Sequence, residues 1–359
     1  MERRYDIDWL RVIAIGLLLI YHIAIIFQPW AMFIGFIKSD EAMESLWQPM
    51  RMLNIWRIPL LFFVSGMGVH FAMGKRNIKQ LLLERAKRIL LPFIFGALAI
   101  CPLHFLIFQK YYNMPFSYIP NAGHLWFLGN IFAYVLLLSP IFYFMNKLEN
   151  GKFKKILAKV MSYVLGPFIM SGFFLLEVGL VKPQLYELYA QTTHGFFIGL
   201  IAFYFGYIFM YSGENFWKTV TTWKWLYIGI ATALFILRFT GYESISNMYL
   251  TSFESNCWVL GVFGLAHQNL NKPSALLSYL SPAVYPVYII HMVALYAGAW
   301  IMLPLELTPL QQFIAITIFT FLFCFLGYEL LLKRLSFLRP LFGLSWKKKI
   351  KATAQEVTV

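Results

Sequence analysis

Asp8-Trp9-Leu10-Arg11 opens an apolar run that reaches Tyr21-His22 and continues to Phe27. Ten residues without a proline separate Arg11 from His22. As a helix, the eleven steps of about 100° make about three whole turns, so Arg11 and His22 share one face. Along the axis they stand about 16 Å apart. Ionisable side chains inside a bilayer are expensive and by default mark functional positions. The stretch therefore predicts a transmembrane helix whose stripe joins a cytosolic mouth at Arg11 to a candidate catalytic imidazole, His22.

Composition supports the membrane reading. The chain is 60% hydrophobic and 19% aromatic, with 13% charged residues, about half the share of a soluble domain. Its net charge of +14 is not gathered on one face. The basic residues fall in short clusters between apolar spans, the topology signal of a membrane protein, so no nucleic-acid partner is expected. Cys101, Cys257 and Cys324 lie in or beside apolar segments at no metal-ligand spacing. They read as packing residues, with neither a disulfide framework nor a metal. Arg3 and Arg4 resemble the start of a signal peptide, but no small-residue cleavage site follows, so the run is expected to stay as the first span.

Stretches of about 20 apolar residues mark spans. Ten are predicted, near 9–27, 52–72, 89–108, 124–145, 160–181, 194–211, 225–240, 248–266, 280–302 and 311–332. Connections 75–88, 146–159, 212–224 and 267–279, and the tail from Lys333 to Lys351, hold most of the Lys and Arg. The positive-inside rule then places both termini in the cytoplasm. The expected class is all-α: one transmembrane domain over 1–335 and a basic cytoplasmic tail over 336–359. Segment 75–88 and Phe337 to Ile350 read as short interfacial helices. The long outer loop from Gln28 to Met50 carries Trp30 and Trp47, suited to a polar, sugar-like ligand or to an interfacial belt.

On this topology His22, Arg57, His104, Glu177, Arg238 and Glu254 fall in the outer halves of their spans. His124 and His194 sit at outer ends, and His291 lies near mid-membrane. Together they predict a polar chamber open to the outside. Burial beside an arginine favours a neutral imidazole at His22, the form that acts as a base. Glu254 or Glu177 is expected to orient His22 or to pair with Arg57, and an Arg238–Glu254 ion pair is an equal alternative. Arg11, Arg85 and Arg88 form an anion site at the inner end. Ser65 in Phe62-Phe63-Val64-Ser65-Gly66 is read as helix packing rather than as a nucleophile. Pro286, in Tyr285-Pro286-Val287-Tyr288, is expected to break or kink its span.

These residues in combination resemble the integral-membrane acyltransferase family 3, especially its glucan biosynthesis protein C branch. The resemblance is carried by Asp8 with Arg11 and His22, Arg57 before Phe62-Phe63-Val64-Ser65-Gly66, and Arg85-Ala86-Lys87-Arg88 before Pro92. It also rests on His124-Leu125-Trp126-Phe127-Leu128, Glu254-Ser255, and Tyr288 near His291; the branch is suggested by Trp126-Phe127-Leu128 and Gln191-Thr192. The resemblance implies a membrane acyltransferase moving an acyl group, succinyl or acetyl, from cytosolic acyl-CoA to a hydroxyl of an extracytoplasmic glucan or other carbohydrate. It implies a bacterial inner membrane and no permanently bound cofactor. His22, Arg57 and Glu254 are the catalytic candidates; Arg11, Arg85 and Arg88 would hold CoA. Glu177, His124, Trp126, Arg238, Tyr288 and His291 are candidates for binding the acceptor. A proton-coupled transporter or flippase, and a catalytically silent polysaccharide-assembly subunit, are the alternatives. The oligomeric state stays open, because small-residue faces pack within or between protomers.

Overall fold

In a bilayer every backbone polar group must be satisfied within the chain, so these apolar runs become helices. The computed structural model describes residues 3–148, 151–240 and 247–346, and no strand occurs among them. The helices are α1 (Tyr5–Ile26), α2 (Trp47–Met73), α3 (Ile78–Arg85), α4 (Leu91–Phe95), α5 (Cys101–Tyr111), α6 (Trp126–Lys147) and α7 (Lys152–Met161). Then follow α8 (Ile169–Val181), α9 (Thr193–Tyr211), α10 (Glu214–Phe239), α11 (Met248–Leu270), α12 (Ala275–Met302) and α13 (Pro309–Leu326). Eight helical stretches among the described residues are long and apolar enough to cross a membrane, or nine if a bent pair counts as one span.

Two of the ten segments expected from hydropathy, α8 and α11, fall short of that length-and-composition test, and the physical reasons are local. α8 has 13 residues, about 20 Å, short of a hydrocarbon core of about 30 Å. It is bent by 108° from the amphipathic α7, which the sequence had assigned to a loop. α11 has the length to cross but buries Thr251, Ser252, Glu254, Ser255 and Asn256, which lowers its apolarity.

Four further expectations change. The segment 75–88 is no separate interfacial helix: α3, α4 and α5 are joined by π-helical turns at Ala86–Leu90 and Gly96–Ile100 into one stretch, Ile78–Tyr111. α10 begins at Glu214, so Lys218 and Lys224 are helical rather than in a loop. Helix α12 continues through Pro282 and Pro286 without a break. The described part of Phe337 to Ile350 holds a 3₁₀ turn, Arg339–Phe342, pinned by Arg339 bonds to Ser345 O and Lys333 O; residues 347–359 lie outside the described residues.

Small residues decide the central packing. A Cβ on Gly66 of α2 would collide with the Phe203 carbonyl of α9, and one on Gly206 would collide with the Phe63 carbonyl. The two backbones can approach this closely only because both positions are glycine. Ser65 donates to Leu61 O of its own helix at 2.7 Å, the local bond expected of a packing serine. α1 lies against α2 and α12, which places its Arg11–His22 stripe inside the bundle.

Candidate functional site

One face of α1 runs along three adjoining cavities. Arg11, Ile15, Leu18 and His22, spaced by four, three and four residues, line them in succession. The first cavity, about 430 Å³, is a basic mouth. Arg3, Arg4, Arg11, Lys75, Arg76, Arg85 and Arg88 line it against only Asp8 and Glu84. Some of this charge is paired: Arg3 with Asp8 at 2.9 Å, Arg76 with Glu84 at 2.9 Å, Arg88 with Glu84 at 3.3 Å. Arg4 is paired as well, with the buried Asp6 at 2.6 Å, yet three carboxylates cannot neutralise seven cations, so the mouth keeps an excess of positive charge. Arg85 donates to Gly68 O at 3.2 Å, while its buried Nε has no partner.

Next to the mouth lies a smaller, mostly apolar shaft of about 230 Å³, which shares Arg11, Gly68, Arg85 and Arg88 with it. Val69, Ile89, Leu128, Ile131 and Val284 form its walls. Leu61, Phe127 and Tyr288 line both the shaft and the third cavity, a chamber of about 420 Å³. His22, Arg57, His124 and Trp126 all line this chamber, as do Tyr21, Asn54, His104, Glu187 and Gln191.

Arg57 is fully buried. It donates to Leu17 O at 3.2 Å and to Asn54 Oδ1 at 2.9 Å, and its guanidinium stands 4.6 Å from the Tyr21 ring centre. Its Nε has no partner, and no carboxylate among the described residues lies within ion-pair distance. A buried cation with an unused donor, held by a carbonyl, an amide and a ring, is suited to a developing negative charge.

The imidazoles are ordered by their hydrogen bonds. His291 Nδ1 lies 2.7 Å from Tyr288 O, and His291 Nε2 lies 2.9 Å from His22 Nδ1. A carbonyl only accepts, so His291 carries its proton on Nδ1. In the neutral ring Nε2 is then an acceptor, and His22 Nδ1 must be the donor. This leaves the lone pair of His22 on Nε2, which no side chain or backbone group among the described residues occupies. The two rings are nearly parallel, 4° apart. A backbone carbonyl thus sets the tautomer of His22 through an intermediate histidine.

The carboxylates are placed elsewhere. Glu254 accepts two bonds from Arg238, at 2.8 and 3.0 Å, and one from Trp258 at 3.3 Å. Glu254 and Arg238 line a separate cavity of about 170 Å³ with Arg51. Glu177 bonds His194 Nδ1 at 2.9 and 3.0 Å, and His194 Nε2 donates to Tyr186 O at 3.0 Å. Neither acid touches His22 or Arg57. Both sit behind the loop 182–192, which reaches into the chamber with Glu187, Tyr189 and Gln191. Arg51 anchors Glu187 at 2.8 Å, and Tyr189 donates to Ile55 O at 2.9 Å. Burial holds the Tyr189 phenol well above its ordinary pKa, so it stays a neutral donor.

Sequence reading missed Tyr21, Asn54, Glu187 and Tyr189 as chamber residues. For Asn54 a signal existed: it stands three residues before Arg57 on the same helical face. Glu187 lies in a loop whose fold depends on partners distant in sequence, so no local pattern marks it. Tyr288 donates to His124 O at 2.5 Å, joining α12 to the start of α6.

Neither a curated protein nor a solved structure matches this sequence. The model of an acyltransferase domain, that of acyltransferase family 3, matches residues 4–329. This range takes in the whole Arg11–His22 face, the chamber and all of the basic mouth but Arg3, and extends over every transmembrane helix but the end of the last. The chain therefore belongs to acyltransferase family 3 and is an integral-membrane acyltransferase.

Proposed function

We propose that the protein moves an acyl group from cytosolic acyl-CoA, through the membrane, to a hydroxyl of an extracytoplasmic carbohydrate. Within the family the reading follows the glucan biosynthesis protein C branch: succinyl or acetyl as the acyl group, a glucan as acceptor, and the bacterial inner membrane as the location. Both termini then face the cytoplasm. The observation that carries this reading is the succession of three adjoining cavities, from the basic mouth past an apolar one to the chamber at His22.

Each part of this succession matches a part of the donor. The 3′-phosphate and diphosphate of CoA would bind Arg85, Arg88 and Arg11 as charge-assisted contacts. The slender pantetheine arm would fill the shaft, placing the thioester about 16 Å from Arg11, beside His22. The acceptor would enter the chamber, where Trp126 and Tyr21 offer faces for a sugar ring and Asn54, Glu187 and Gln191 offer hydrogen bonds. His22 Nε2 takes the acceptor hydroxyl proton, and the oxygen attacks the thioester carbonyl. Arg57 stabilises the resulting oxyanion. The C–S bond then breaks, and the CoA thiolate takes the proton back from His22. The base contributes about 10²–10⁴-fold in such reactions.

The test uses purified protein in lipid nanodiscs with radiolabelled succinyl-CoA or acetyl-CoA and a glucan acceptor. The wild-type protein is expected to label the acceptor, and His22→Ala to leave it unlabelled with an unchanged melting temperature. Wild-type turnover by His22→Ala removes the base from the mechanism. Labelling from neither donor removes these two acyl groups.

A further inference from the structure

Cys101 and His104 stand at i and i+3 near the start of α5, on one helical face. The connection to α6 folds back over them and delivers His124. The thiol sulfur and one ring nitrogen of each histidine all lie within 4.8 Å of one another. Spacing among the three cysteines indicates no metal set; the fold instead joins one cysteine to two histidines.

Hydrogen bonding leaves this trio under-satisfied. His124 Nε2 donates to Ile289 O at 3.1 Å, so Nδ1 carries the lone pair, and Nδ1 is 4.0 Å from the Cys101 sulfur. The single thiol proton has two distant acceptors, Ala122 O at 3.6 Å and that nitrogen. His104 is 2% exposed, and its Nδ1 is buried with no hydrogen-bond partner. Buried polar atoms are ordinarily paired, so an unpaired nitrogen in a histidine whose ring approaches a thiol and a bare imidazole nitrogen needs a reason. Gly123 keeps the space open: its φ is +46°, and a Cβ there would lie 3.0 Å from the sulfur.

The geometry points to a thiophilic d¹⁰ metal ion, Zn²⁺ or Cu⁺, bound by Cys101, His104 and His124. Thiolate and imidazole are the ligands both ions favour, and the third protein ligand leaves a fourth position open. The bond from His124 Nε2 to a backbone carbonyl is the outer-shell contact that fixes the tautomer of ligating histidines. Binding forms a metal–sulfur bond and releases the thiol proton to solvent, with no change of oxidation state. Both histidines line the chamber, so the ion would lie at its wall. The His124 ring centre lies 4.8 Å from that of His291, and the ion thus ties α5 to α6 in the wall against which the His22–His291 pair packs.

The test reads metal directly and does not depend on acyl transfer. Purified protein, stripped with a chelator, is titrated with Zn²⁺, with Cu⁺ under reductant, and with Co²⁺ as a spectroscopic probe. Wild-type protein is expected to retain about one Zn²⁺ or Cu⁺ per chain after desalting, and to show a sulfur-to-cobalt charge-transfer band with Co²⁺. Cys101→Ser should abolish the band, and His104→Leu should weaken Zn²⁺ or Cu⁺ at least about 10–100-fold, the loss that even outer-shell changes produce. Competition with indicator chelators decides between the two ions. His22→Ala should bind metal as the wild type does, whatever its transfer activity. Folded wild-type protein that retains neither ion and shows no band overturns the proposal, as does equal binding by Cys101→Ser. If that variant does not fold, His104→Leu carries the same comparison.

Discussion

His22 Nδ1 faces His291 Nε2 at 2.9 Å, across 269 residues of sequence, and the Tyr288 carbonyl fixes which of them holds the proton. In the proposed mechanism the arrangement would serve as a base, an orienting ring and a backbone acceptor, the logic of a catalytic triad with a carbonyl as its third member. His291 would then act through His22, without contact to the reacting atoms.

Replacing His291 tests that relation. His291→Leu should lower kcat by about 10²-fold or more, because His22 loses the acceptor that holds its useful tautomer. The KM for either substrate should hardly move. His291→Gln, whose amide oxygen can accept from Nδ1, should recover a substantial part of kcat. Equal loss in both variants, in steady-state kinetics, would assign His291 to packing alone.

Arg57→Lys should fold, since the ammonium can still reach Leu17 O or Asn54. A point charge cannot reproduce the guanidinium's spread of donors, so kcat should fall about 10²–10³-fold, as when one oxyanion donor is removed. Initial rates at saturating acyl-CoA and acceptor read the effect.

At the mouth, Arg85→Ala and Arg88→Ala should each raise the KM for acyl-CoA about 5–50-fold. This corresponds to about 1–2.3 kcal/mol for a partly screened charge-assisted contact. The acceptor's KM should stay constant. Added salt should weaken the wild type toward the variants, since the contact is partly exposed. Dephospho-CoA thioesters should lose most of the difference.

Breaking the Arg238–Glu254 pair should cost stability more than chemistry. Glu254 is 1% exposed, and Glu254→Gln leaves a guanidinium without its counter-charge, a change that costs about 3–5 kcal/mol for buried pairs. The double variant Arg238→Met, Glu254→Leu should regain thermal stability. A double variant that melts normally yet transfers nothing would instead place Glu254 in the reaction.

Gly206→Ala tests the α2–α9 contact. The added methyl must displace the Phe63 carbonyl, and overpacking of this kind costs about 1–3 kcal/mol. A lowered melting temperature in detergent, with no change in KM for either substrate among the surviving molecules, is expected.

Sequence alone determined the class, the family and the stripe of α1. These are written in local terms: apolar run length, helical period and the Arg11–His22 spacing need no partner to be read. It also indicated that buried His and Arg would gather in a chamber. It did not determine which buried groups pair. Depth in the membrane put Glu177 and Glu254 level with His22, but depth carries no information about azimuth. Only the packing of helices turned those acids toward His194 and Arg238 and turned His291 toward His22. Two segments depart from a plain apolar span for a related reason: α8 is short because the chain bends, and α11 tolerates polar residues because they are buried among neighbouring helices. The Cys101–His104–His124 group and the loop that delivers Glu187 are likewise products of tertiary structure. Hydrophobicity is a property of each segment by itself, whereas a hydrogen bond between two imidazoles exists only once two helices have met at one rotation and one height.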